Sequence, residues 1–247
     1  MAILLAGRWA FVLTALAVGD GDGAESKSTR PTITLGEKVE AIDPSWRGAG
    51  LVDLEKIEVE ARRGTLTATL SGAAYAHSYL GKHSAGATTM HLVQPFAIDP
   101  GESKGGMVVL ALSAKLDGYV RSVPQGAATL RRAGAAVYAA GGGPVAWLAF
   151  PAAATVDEGA RRCKSSFDAP KVTLPAGRYV LVADLALDTT VEGICRGHAE
   201  AVFAPLVRRG TWDLEAGPFA KVDSEDFGLT VTAAVSAPPE RDADGSK

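Results

Sequence analysis

The run from Arg178 to Leu187, R-Y-V-L-V-A-D-L-A-L, constrains the fold more than any other stretch of this chain. In a pleated strand Tyr179, Leu181, Ala183, Leu185 and Leu187 share one face, and Arg178, Val180, Val182, Asp184 and Ala186 share the other. The pattern predicts a strand buried on one side and half-buried on the other. Val172 to Leu174 is a second β-rich run just upstream. Pro175-Ala176-Gly177 between them combines a fixed φ with a permissive glycine, which is turn chemistry. Lys171 to Asp188 therefore reads as a hairpin that closes a domain, with Cys163 before it and Cys195 after it.

The same grammar recurs along the chain. Thr32 to Leu35, Glu55 to Glu60, Thr65 to Leu70, His91 to Ile98 and Met107 to Ala114 are β-like runs, punctuated by Gly64, Ser71-Gly72, Pro100-Gly101 and Gly105-Gly106. Leu66, Ala68 and Leu70 oppose Thr65, Thr67 and Thr69, the pattern of a strand with one wet face. Further runs are Val145 to Pro151, Ala199 to Val207, Thr211 to Leu214 and Phe227 to Val235. The one candidate helix is short, Val156 to Arg162. The fold class predicted is all-β, an antiparallel, jelly-roll-like sandwich.

At 247 residues and 47% hydrophobic, the chain is long enough for one large domain or two small ones. Gly126 to Pro144 is rich in alanine and glycine and ends in Gly141-Gly142-Gly143, so it reads as a seam, although Ala135 to Ala140 could be a strand within it. The expected organisation is a signal peptide over 1–17, a flexible linker over 18–31, a first module over 32–124, a second over 125–236 and a polar, disordered tail over 237–247. One large jelly roll is the alternative.

Trp9 to Val18 is an uncharged apolar run after Arg8, followed by small residues, as in an export signal. It is too short to span a bilayer, and no later segment qualifies as a spanning helix. A secreted or periplasmic protein follows. In an oxidising compartment Cys163 and Cys195 read as a disulfide, since they form no C-x-x-C pair. A net charge of −3 and a pI near 5.8 give no basic field for nucleic acid.

Catalytic signatures are sparse. His77, His83 and His91 are loosely spaced with no acids between Gly72 and Ile98, which argues against a metal site. Asp20 and Asp22 lack the remaining ligands of a calcium loop. Gly81 to Gly86 is not a nucleophile elbow, Asp184, Asp188 and Glu192 read as solvated acids more than a glycosidase pair, and Walker and dinucleotide patterns are absent. No cofactor, metal or catalytic residue is expected. Aromatic side chains serve carbohydrate and protein recognition. Trp46, Tyr75, Tyr79 and Trp212 are the candidate binding residues, and Trp147, among apolar neighbours, is expected in the core.

The segments I-T-L-G-E-K-V (33–39) and V-D-L-E-K-I-E-V-E-A-R-R-G-T-L-T-A-T-L (52–70), with L-P-A-G-R-Y-V-L-V (174–182), resemble the opening strands and closing hairpin of bacterial pre-peptidase C-terminal modules, small secreted β-sandwiches. The resemblance covers about a third of the chain, and the separation of its parts suggests tandem copies. Where those modules carry an aspartate before a Tyr-Leu pair, this chain has His77 ahead of Tyr79 and Leu80. The resemblance implies a non-catalytic exported module that binds a polymer or protein, with carbohydrate or an extracellular protein as partner. The alternatives are a secreted hydrolase built from His77, His83 and Asp99, and a purely structural surface protein.

Overall fold

A computed structural model of the chain describes residues 29–78, 83–123, 125–150, 154–192, 197–204 and 228–239. The expected signal peptide, most of the linker and tail, the run at 211–214, Tyr79, Cys195 and Trp212 lie outside them. The described chain is a succession of strands. In order they are β1 (Thr32–Leu35), β2 (Val39–Arg47), β3 (Leu51–Arg62), β4 (Thr65–Ser78), β5 (Ser84–Asp99), β6 (Met107–Asp117), β7 (Tyr119–Ser122) and β8 (Gly126–Ala139). There follow β9 (Pro144–Ala149), β10 (Ala154–Val156), β11 (Gly159–Arg162), β12 (Ser165–Asp168), β13 (Val172–Pro175), β14 (Gly177–Val191), β15 (Gly197–Phe203) and β16 (Gly228–Ser236). The expected helix at Val156 to Arg162 is instead the end of β10, a turn and β11. Too few apolar positions lie there at helical spacing to hold a helix against the sheets.

Two antiparallel sheets pack face to face as a β-sandwich. Sheet I has seven strands in the order β1-β5-β14-β8-β10, with β2 also on β5 and β9 also on β8. Sheet II has nine, ordered β11-β7-β15-β4-β16-β6-β12, with β3 also on β4 and β13 also on β6. Several lanes are shared by short strands laid end to end. The longest-range instance is the lane of β15 and β16, which both pair with β4, at Gly72 to Ser78 and at Thr65 to Leu70. At their junction a Cβ on Gly228 would lie 3.2 Å from the Phe203 carbonyl and 2.6 Å from that of Leu70, so only glycine fits.

This topology corrects the tandem organisation. Both sheets draw strands from either side of residue 124, and the buried side chains form essentially one cluster spanning both halves. Among the described residues there is one sandwich. The expected seam, Gly126 to Pro144, is mostly β8, paired with β14 along nearly its whole length. Alanine and glycine there reflect a strand between neighbours, not a linker.

The alternation in Arg178 to Leu187 is borne out: Tyr179, Leu181, Ala183, Leu185 and Leu187 are all buried on the inner face. The hairpin is not. β13 pairs with β6 in sheet II, and β14 lies between β5 and β8 in sheet I. Ala176 carries the chain from one sheet to the other, its N–H bonded to the Gly106 carbonyl at 2.8 Å. A short Pro-Ala-Gly link can reverse a chain within a sheet or hand it across the core. The apolar residues on both its flanks, Leu174 and Tyr179, face the same core from opposite sheets. Leu66, Leu70, Met90, Leu92, Leu110, Leu112, Leu181, Leu185 and Leu229 fill the space between, each about 1.5–3 kcal/mol of burial.

Candidate functional site

The inner faces are taken up by the core, so function must be sought on the outer ones. The outer face of sheet I carries a continuous apolar row. Val39, Val93, Val182, Ala136 and Trp147 stand opposite one another in register across β2, β5, β14, β8 and β9. The adjacent row is Pro95, Val180 and Tyr138. Trp147 is 68% exposed and Val39 60%. The expectation that Trp147 lies in the core is therefore wrong. In β9 it is Ala146 and Leu148 that point inward, and strand alternation puts Trp147 outside.

On the other side of that row the face turns polar. His91, on β5, and Asp184, on β14, are in register, and His91 Nδ1 donates to Asp184 Oδ1 at 2.7 Å. Arg132 Nη2, from β8, donates to the same oxygen at 3.0 Å. Arg131 Nη1 lies 3.7 Å from Asp188 Oδ2. Both arginines are exposed because the β8–β14 register shifts between Ala186 and Leu187, giving β8 an extra residue there. A bulge of this kind re-aims a side chain that strict alternation would send inward.

The outer face of sheet II is of another kind. Tyr75 stands opposite Glu200 and Glu200 opposite Arg121, with His77 opposite His198 in the adjacent row. Glu200 is only 14% exposed, with its carboxylate 3.2 Å from His198 Nε2 and 3.8 Å from Arg121 Nη1. Tyr119 donates its hydroxyl to the same carboxylate. Burial, with the neighbouring Glu200 and Tyr75 charges, pushes the Tyr119 phenol well above its ordinary value. The His77 and His198 rings meet edge to face at 6.1 Å. Beside them Arg162 grips Asp117 with two hydrogen bonds, 3.0 and 2.8 Å. These side chains are largely spent on one another.

The residues singled out in the sequence are scattered. Trp46 is 64% exposed but opposite Gly86, on the core side of edge strand β2, whereas Trp147 is on the outer side of sheet I. Tyr75 is half-buried on sheet II. Tyr79 and Trp212 are outside the described residues. The hydrolase constellation is not assembled. His83 and Asp99 bracket the two ends of β5, about 50 Å apart along an extended strand, and His77 lies on the other sheet. His83 pairs with Glu192 at 3.4 Å, and His91 with Asp184. No cluster of three or more His, Cys, Asp or Glu is placed to hold a metal among the described residues, and none of their helices could cross a membrane. Cys163 is a buried free thiol raised above its ordinary pKa by desolvation. Its expected partner, Cys195, lies outside the described residues.

Sequence reasoning missed Tyr138 and Trp147 as side chains of the outer face of sheet I, the two arginines of the bulge, and His198 with Glu200. Alternation alone could have exposed Trp147. The rest depend on cross-strand register between segments far apart in sequence. Comparison with protein-family models, with curated proteins and with solved structures returned no match to this chain.

Proposed function

We propose that this chain is a non-catalytic binding module of an exported protein, and that the outer face of sheet I is where it takes an extended polymer. The observation that carries the reading is Trp147, mostly in solvent at the end of a row of apolar residues that crosses the sheet. An exposed indole with only two side-chain torsions loses little conformational freedom when a ligand covers it, and its face suits the apolar side of a sugar ring. The polar groups sit beside the row and already hold one another in place, as a recognition surface requires. The export-like run at Trp9 to Val18 and the resemblance of 33–39, 52–70 and 174–182 to pre-peptidase C-terminal modules fit the same reading.

Affinity electrophoresis of the purified chain in gels containing soluble polysaccharides tests it. Retardation by at least one polysaccharide, abolished in Trp147→Ala at unchanged thermal midpoint, is the expected result. A Trp147→Ala protein retarded as strongly as the parent would remove this face from the binding site.

A further inference from the structure

We infer that the outer face of sheet I selects a neutral polysaccharide with adjacent free hydroxyls, laid obliquely from β9 across β8 to β14 so that Trp147 stacks on one ring while Asp184, Arg132 and His91 read the hydroxyl pair of another. The inference rests on the binding role proposed above and names the ligand class for that same face.

The argument begins with how the polar groups are held. Asp184 spends one carboxylate oxygen, Oδ1, on both His91 and Arg132. Its other oxygen, Oδ2, remains an acceptor, and Arg132, with 58% of its side chain exposed, keeps further N–H donors. His91 is engaged through Nδ1, which leaves Nε2 as the nitrogen that can meet a ligand. A carboxylate acceptor beside a guanidinium donor is the complement of a hydroxyl pair on neighbouring ring carbons, in which each hydroxyl both donates and accepts. A lone charge would bind an ion; this fixed donor–acceptor pair reads a diol.

Charge balance argues for a neutral ligand. Two arginines and two aspartates alternate here, Arg132 with Asp184 and Arg131 with Asp188, and each cation is within 3.7 Å of its anion. Within this quartet neither sign is left over, and Arg178, exposed farther along the same side of β14, is a cation outside it that the polygalacturonate comparison below probes. The β8 bulge is the structural investment. Without the extra residue one of the two adjacent arginines would be directed to the core, and the second pair would not form.

Length follows from the lattice of the sheet. Along the outer side of β14 the residues run Val180, Val182, Asp184, Ala186, Asp188, at about 7 Å per step. Trp147 lies two strand spacings to the side of Val182, about 10 Å. The apolar and polar parts are therefore too far apart for one ring and suit a chain of them.

The test compares two soluble neutral polymers that differ in this feature. A β-1,4-linked glucomannan has a free 2,3-hydroxyl pair in its units, whereas a linear β-1,3-linked glucan has none along its chain. Affinity electrophoresis and calorimetry of the full chain should show at least tenfold tighter binding to the glucomannan, and Asp184→Asn and Arg132→Met should each shrink that preference to about twofold. Polygalacturonate, which bears the diol and a negative charge, should bind no more tightly than the glucomannan. Trp147-dependent binding without preference for the diol, a preference that survives both substitutions, or tighter binding of polygalacturonate would overturn the inference while leaving the binding face in place. Failure to bind any of the three polymers would overturn the carbohydrate assignment itself. Near-ultraviolet circular dichroism of each variant confirms that the exposed substitutions leave the sandwich intact.

Discussion

The two outer faces of the sandwich are built on the same lattice and spend their side chains in opposite ways. On sheet I apolar groups stand in solvent and ion pairs lie at the surface, with Trp147 68% exposed and the Arg132 side chain 58% exposed. Where β4, β15 and β7 meet on sheet II the polar groups are the covered ones, although along β3 the Lys56–Glu58 and Arg62–Glu60 pairs stand as far out in solvent as any on sheet I. Ala73 and Val202 are fully buried on the outer side, Tyr119 is nearly so, and Glu200 is surrounded by His198, Arg121 and Tyr119. The difference separates two jobs. A carboxylate with its bonding capacity filled by neighbours holds strands in register, whereas an aromatic ring left in water at the end of an apolar row adds little to the fold, which is why the proposed binding role falls to it.

The contrast can be broken by perturbing each face in turn. The largest effect is expected on the sheet II side, where Cys163 ends the edge formed by β11, its N–H bonded to the Gly118 carbonyl at 2.8 Å. If the purified protein forms the Cys163–Cys195 bridge, reduction should remove about 3–4 kcal/mol of stability, read as a drop in thermal midpoint. Mass spectrometry that finds both thiols free in oxidised material would dismiss the bridge. Next comes Glu200→Ala, which strips the Tyr119 hydroxyl and His198 of their shared acceptor and should cost about 2–4 kcal/mol in a denaturant titration. Asp184→Ala, its counterpart on sheet I, should cost less than about 1 kcal/mol, because its partners His91 and Arg132, 41% and 58% exposed, regain water when the half-buried carboxylate is removed. Equal costs would erase the distinction between the faces.

Binding should reverse the ranking. Trp147→Ala should weaken the ligand by about 2 kcal/mol, some thirtyfold, while shifting stability by no more than about 0.5 kcal/mol. Glu200→Ala should leave affinity unaltered under conditions in which the variant is folded. The smallest effect is one of pH. Tyr119 has a folded-state pKa above its ordinary 10.0. Above that pH the unfolded chain releases the phenolic proton while the folded chain keeps it, so the native state loses ground as pH rises. Tyr119→Phe should flatten this alkaline decline, and an unchanged decline would mean that Tyr119 ionises normally.

How much of this could be read in advance differs by element. The inner face of β14 was fully legible, because a strand between two neighbours must bury every second residue and Tyr179 to Leu187 do so. The route into it was not, since Pro175-Ala176-Gly177 has the composition of a hairpin turn and yet hands the chain between sheets. Nothing local reports which sheet the next strand will join. The apolar neighbours of Trp147 suggest a core position, but parity through Ala146 and Leu148 puts it outside. β2 is easily overlooked for another reason. Pro44 interrupts it, which a sheet tolerates on an edge strand. The Glu200 cluster was out of reach because His77 and His198 are placed opposite each other by a pairing between β4 and β15 that no short-range pattern encodes.

The shared lane of β15 and β16 sets the order in which the molecule can assemble. β16 separates β4 from β6 near the middle of sheet II, and β14 separates β5 from β8 in sheet I. Both partitions are made by late segments joining partners synthesised much earlier. Until residue 236 has been made, β4 and β6 each lack a partner along the lane that β16 fills, although every strand of sheet I has been made by residue 191. Such a chain should fold slowly, with the central ladder of sheet II closing last.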